Sequence, residues 1–167
     1  MRSLAKTSLV KLGLVTFCAL ASVQAVHAQD AAAPASPDEA LQKAVDTRQA
    51  VFKLVDFNWQ PVAGMMKKKV PFDAAAVQKT ADRVAFLAPM IPDVFATDTR
   101  KATNVKTKAR EGIWTNAADF KAKSDDLVKA AQAMSAAAKT GDQGATMKAA
   151  LGVGKACAGC HDNYRDK

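Results

Sequence analysis

Residues 36–66 read SPDEALQKAVDTRQAVFKLVDFNWQPVAGMM, and their spacing decides the fold. Ser36 offers an N-cap hydroxyl, Pro37 stands at the first helical position, and Glu39 follows the cap by three residues. That combination opens a helix. Leu41, Val45, Arg48, Phe52, Val55, Trp59, Val62 and Met66 then recur at alternating spacings of four and three. Such a repeat lays one stripe along a helix, as in bundle packing. Arg48 is the only charge on the stripe. Pro61 lies inside it and removes a hydrogen bond one turn back, so a kink is expected there.

Three more helical segments follow, and no convincing strand. The second is expected from Asp73 to about Leu87, with Val77, Ala81, Val84 and Leu87 on its apolar face. Pro89 and Pro92 disturb its continuation through Phe95. Residues 97–112 are polar and basic and form the longest connection. The third helix is expected after Ile113-Trp114, capped by Thr115 or Asn116. It carries Phe120, Leu127, Ala131 and Met134 and stops at Thr140-Gly141. Asp142 can cap the fourth, which carries Met147 and Leu151. Gly152 and Gly154 each cost that helix about 1 kcal/mol relative to Ala, but small residues also let a flat ligand approach the backbone. Four helices with short turns and one long loop predict an all-α fold, an antiparallel four-helix bundle spanning 37–167.

The chain of 167 residues also carries a leader. Arg2, Lys6 and Lys11 make a basic start, Leu12 to Val26 is largely apolar, and Val26-His27-Ala28 suits a signal peptidase. Residues 1–28 therefore read as a secretory signal that is removed, and 29–36 as a flexible N-terminal segment. The apolar run is shorter than the roughly 20 residues of a spanning helix, so no membrane span is expected after processing. The net charge of +8 includes three basic residues of that leader. Lys67-Lys68-Lys69 is the densest basic run and reads as a solvated helix end. Few aromatics accompany it, so nucleic acid is not an expected partner.

Without the leader, two cysteines remain, Cys157 and Cys160, and one histidine, His161. Two cysteines three apart lie about one helical turn from each other. Each can form a thioether to one haem vinyl group, and the imidazole of His161 can ligate the iron beneath. This is the c-type attachment signature, and it predicts one covalent haem c per chain. A zinc site needs four ligands, and no further Cys or His remains to complete one. A redox dithiol of thioredoxin type needs a βαβ context. A disulfide would leave His161 unexplained. With one histidine, two imidazoles from one chain cannot hold the iron. The opposite ligand is Met65, Met66, Met90, Met134, Met147, a lysine, an external molecule or nothing; each methionine also reads as core filling.

These residues resemble the cytochrome c′ family. The likeness runs from Asp38 to Lys167. It rests on Arg48-Gln49 in the first helix, Pro71-Phe72-Asp73 opening the second, Ile113-Trp114 and Phe120 at the third, and Cys157-Ala-Gly-Cys-His161-Asp-Asn-Tyr164-Arg165. The resemblance implies a four-helix bundle, often a homodimer, with haem on the last helix. It places Phe52 over the open iron face, Arg48 and Gln49 near the haem propionates, and Arg165 beside the ligand His161. The 97–112 connection lacks the Gly-rich turn of the family, and Arg110 is the candidate there for a contact at the haem edge.

The expected function is a periplasmic c-type haem protein with five-coordinate, high-spin iron. It would bind small gases, NO and CO, with a nitric oxide buffering or electron-transfer role and a redox partner left open. The alternative is a low-spin, Met-ligated electron carrier of the cytochrome c-556 type. The resemblance implies that low-spin relatives carry a methionine on the first helix near the iron, and none lies between Asp38 and Gly64 here, which favours the first reading. A peroxidase-like enzyme needs a distal acid–base group, and no second histidine is available, so no enzyme is expected. Bland readings stand beside the sharp ones: Phe52 as a core aromatic, Arg48 as a snorkelling side chain, Arg165 as an exposed terminal charge.

Overall fold

In the computed structural model, which describes residues 36–102 and 104–167, Ser36 opens the first helix as its sequence requires. Its hydroxyl accepts a hydrogen bond from the amide of Glu39 at 3.2 Å, with Pro37 in the first turn. The helices are α1 (Pro37–Met66), α2 (Ala74–Leu87), α3 (Met90–Val94), α4 (Gly112–Thr115), α5 (Ala117–Lys139) and α6 (Gln143–Tyr164). The only β feature among the described residues is an isolated antiparallel bridge between Ala109 and Arg165. The expected signal segment and residues 29–35 lie outside the described residues.

The four long helices form the antiparallel four-helix bundle. α5 packs along both α2 and α6, and α2 packs on α1. Side-chain links fix the directions. Ser124 Oγ donates to the carbonyl of Ala88 at 2.7 Å and Ser135 Oγ to Asp82 at 2.6 Å, so α2 and α5 run opposite ways. Thr80 Oγ1 donates to the carbonyl of Asn58 at 3.0 Å, joining α2 to α1. α1 runs unbroken through Pro61, whose missing N–H takes the helical partner from the carbonyl of Phe57 one turn back. The core is made of Val62, Val77, Ala81, Val84, Ala131, Met134, Ala150 and Val153, all essentially sealed from water. One seam differs from the rest: α1 and α6 scarcely touch.

Asp142 caps α6 as expected, and Asp73, expected as the first residue of the second helix, is instead the N-cap of α2; each accepts an amide three residues on. At Pro89 and Pro92 the helical run is interrupted as expected: α2 stops at Leu87, and a short helix, α3, follows with Pro89 before it and Pro92 inside it. A first-turn N–H needs no intrahelical partner, so Pro92 costs that helix nothing there. Residues 112–115 make a separate turn, α4, and Asn116 stands at the start of α5 without a side-chain cap bond.

α1 ends in a Schellman arrangement. The amide of Lys69 reaches the carbonyl of Gly64 and that of Lys68 reaches Met65, both at 2.9 Å. Lys68 holds the left-handed position with φ 55°, where glycine is usual. A Cβ there is unfavourable by about 1–2 kcal/mol, against which glycine loses more chain entropy. Lys68→Gly should therefore raise stability by about 0.5–1 kcal/mol. Denaturant unfolding checks this; a lower midpoint would show that the lysine side chain contributes more than its backbone loses.

Candidate cofactor site

The closing turns of α6 carry Cys157, Cys160 and His161. Both thiols are free and half-buried against the core. Burial pushes both thiols above the ordinary cysteine range, so they stay protonated and uncharged. His161 is on the surface of the turn. Its pKa is lowered by partial burial and then by the Arg165 guanidinium. Arg165 Nη1 stands 3.5 Å from His161 Nδ1, so the structure does bring this expected pair together.

Four observations test whether these residues fit a haem. The donor set is right: two unjoined thiols a turn apart with an imidazole next to the second. No heavy atom lies within 4 Å of where a Cβ would stand on Gly152, Gly154 or Gly159, and Gly152 and Gly159, seven positions apart, leave one face of α6 open to a flat group. The α1–α6 seam beside it is not closed by helix packing. A buried cation, Arg48, waits on the α1 side without a carboxylate against it, a match for an acidic substituent.

Arg48 is 3% exposed, so the snorkelling reading is corrected. Its Nε donates to the carbonyl of Val94 at 2.8 Å, Nη1 to Thr99 Oγ1 at 2.7 Å, and Nη2 to the carbonyl of Thr97. The guanidinium carbon also lies 4.5 Å from the Phe95 ring centroid and 5.3 Å from that of Trp114. Burial lowers its pKa, and nearby Asp98 works against that. Three of its five N–H groups thus hold the 94–99 segment, and two are left for another acceptor. Gln49 is exposed beside it.

Phe52 is 36% exposed rather than turned fully inward, and Val51 takes the buried place next to it. Phe52 meets Phe95 edge-on at 6.3 Å between centroids. Phe95 in turn meets Phe120 at 5.1 Å, and Phe120 meets Tyr164 at 5.2 Å. This file of rings places Phe52 at the same end of the bundle as His161. Phe95 is its hub, and it escaped the sequence reading because Pro89 and Pro92 broke the helical period around it. Tyr164 was also missed as a contact: its hydroxyl donates to Asp119 at 2.5 Å. Arg110, the candidate for a contact at the haem edge, reaches the carbonyl of Asp162 and the carboxylate of Asp166 at the end of α6.

Comparison with known proteins agrees with the helical fold and the family. The family profile described as Cytochrome C' matches residues 43–165. A cytochrome c′ of Rubrivivax gelatinosus is 38% identical over 125 residues, covering 74% of this chain and 95% of that one. A cytochrome c-556 of Agrobacterium fabrum is 32% identical over 123 residues, covering 74% and 81%. Among solved structures, a nitric oxide complex of a mutant cytochrome c prime from Alcaligenes xylosoxidans superposes with a TM-score of 0.66. It is 30% identical and covers 76% of this chain and 97% of that one.

Tyr164 is the only tyrosine in the sequence, so its titration can be followed without overlap. Burial, with the Asp119 hydrogen bond and charge, raises its pKa to about 12. The phenol is protonated in the stable fold, so its contribution is full below the unfolded value near 10. That contribution fades as pH rises from there through about 12. NMR of ring-labelled tyrosine should give a midpoint well above 10, and Asp119→Asn should lower it. An unshifted midpoint would place the phenol in water.

Proposed function

Because this chain belongs to the cytochrome c′ family and carries covalently attached haem c, we propose that it is a periplasmic, five-coordinate haem protein that binds NO and CO. Cys157 and Cys160 are the thioether donors and His161 the iron ligand in this reading. Bound haem c supplies an iron that takes up one electron or a diatomic molecule. The leader ending at Val26-His27-Ala28 supports export, and no helix among the described residues is long and apolar enough to cross a membrane. The nitric oxide complex of the Alcaligenes relative supports the choice of ligand class.

Phe52 carries the argument. It stands on α1, across the loosely packed seam from α6, and at the His161 end of the bundle. A phenyl ring has no hydrogen-bond donor, so it gives no stabilisation to bound O₂. It also excludes water from the ligand side, while a small apolar gas can enter once the ring swings aside. Arg48 supports the same face, because its two remaining N–H groups and a charge with no carboxylate hydrogen-bonded to it among the described residues suit a haem propionate. Gln49 is the exposed partner beside it.

A second reading has one observation behind it: relatives named cytochrome c-556 and c-554 are among the similar proteins. A Met-ligated electron carrier needs a thioether near Phe52 and His161. Met65 and Met147 meet in a cavity at the other end of the bundle, with Gln143 and Phe72. Met66 adjoins Met65, and Met134 is about 21 Å along α5 from Phe120 at 1.5 Å per residue. Among the described residues, Met90, at the start of α3, is the one methionine at the Phe52 end.

The pair of α1 and α2 also carries an apolar outer groove. Leu54 is 50% exposed and Phe57 and Phe86 are each 70% exposed, with Leu87 at its floor. Bare aromatics clustered on one face are costly in water and mark an interface. The occupant in this reading is the same face of a second copy, which gives a homodimer with two-fold symmetry.

Two outcomes follow. Phe52→Ala should speed CO association and let water become a sixth ligand of ferric iron, both read from optical spectra after stopped-flow mixing. Its stability loss should fall below the 3–5 kcal/mol of a fully buried Phe, since the ring is partly exposed. Unchanged CO kinetics with lowered stability would reduce Phe52 to a packing residue. Separately, sedimentation should give a dimer for the native chain and a monomer for Phe57→Glu with Phe86→Glu. A native monomer would remove the homodimer.

A further inference from the structure

The long connection before α4 ends as a cap on the last helix. A helix leaves its final four carbonyls without partners of its own. In α6 the carbonyl of His161 is met by the amide of Arg165 at 3.2 Å. Two of the others are met by one residue. The amide of Arg110 donates to the carbonyl of Tyr164 at 3.1 Å, and its Nη1 donates to the carbonyl of Asp162 at 3.0 Å. Its Nε pairs with Asp166 Oδ1 at 3.0 Å. The amide of Asp166 donates back to the carbonyl of Lys108 at 2.9 Å, and Ala109 bridges Arg165.

These contacts hold the iron-ligand turn from the side of the 108–110 segment. Asp162, Tyr164, Arg165 and Asp166 are all held, and His161 opens that turn. Gly112, two residues past Arg110, keeps the loop close: a Cβ there would stand 3.4 Å from the Tyr164 ring. The ion pair of Arg110 with Asp166 is half exposed and contributes little alone. The cap is the larger effect, because a guanidinium donating to a terminal carbonyl is charge-assisted and opposes the negative end of the helix dipole.

We infer that Arg110 is a positioning residue for His161. It fixes the last turn of α6 and, through the Ala109–Arg165 bridge, holds the Arg165 guanidinium against His161 Nδ1. No carboxylate among the described residues is hydrogen-bonded to that nitrogen, so Arg165 is the neighbour that orients the ring. This rests on the reading of His161 as the iron ligand.

The test is made on the haem-loaded protein as Arg110→Ala, Arg110→Lys and Asp166→Asn, with Val77→Ala as a remote core variant. Two readouts are taken: amide hydrogen exchange at Arg165, whose N–H closes the turn, and the iron–imidazole stretching band in resonance Raman spectra. Arg110→Ala should speed exchange at Arg165 about tenfold, as loss of a charge-assisted bond allows, and should shift or broaden the band. Arg110→Lys should restore part of both, Asp166→Asn should change them little, and Val77→Ala should leave the band in place. The inference is overturned if Arg110→Ala leaves the native band and the Arg165 exchange unchanged, or if Val77→Ala moves the band equally. Absence of the band in the reduced native protein would instead overturn the reading of five-coordinate iron held by His161, on which the inference rests.

Discussion

A guanidinium sealed inside a protein must be surrounded by acceptors, and in this bundle that requirement shapes the ligand end. Removing an ion from water costs several kcal/mol unless its hydrogen-bonding groups are met. Arg48 has no carboxylate against it, so the chain meets it with backbone. The segment after α3 curls until the carbonyls of Val94 and Thr97 and the hydroxyl of Thr99 face its N–H groups. That curl brings Phe95 under the guanidinium plane, beside Trp114. Trp114 Nε1 in turn donates to the carbonyl of Phe95 at 2.9 Å, locking the hub from the other side. A charge placed on an apolar stripe thereby sets the wall that Phe52 leans on.

The second constraint is at the end of α6. Two thiols and an imidazole must share little more than one turn, and that turn is at a helix end, where chains fray. Tyr164 answers this on one side, through Asp119 and the Phe120 ring. The 108–110 segment answers it on the other. The glycines of α6 are the local weakness of the same design, since they lower helix propensity where a flat group needs room. Packing of α6 along the whole of α5 offsets that weakness. The two ends of the file of rings, Phe52 and Tyr164, therefore belong to one site although 112 positions separate them in sequence.

Much of this was legible in the sequence. The stripe from Leu41 to Met66 specified α1, the caps at Ser36, Asp73 and Asp142 specified where helices start, and Cys157 to His161 specified the cofactor. These signals are local, so reading them needs only neighbours within a turn or two. What stayed hidden depends on distant partners. The burial of Arg48 could not be read from its stripe, because its acceptors come 46 to 51 positions later. Phe95 lies among prolines that erase periodicity. The role of Arg110 follows from contacts to the chain's end that nothing in residues 97–112 announces.

The central claim is that His161 is the only side chain of this protein bound to the iron and that an apolar aromatic face lies opposite. The optical and EPR spectrum of the purified ferric protein tests it most directly. A high-spin, five-coordinate spectrum is the predicted result. A low-spin spectrum with methionine ligation would contradict the account and assign the protein to the electron-carrying relatives.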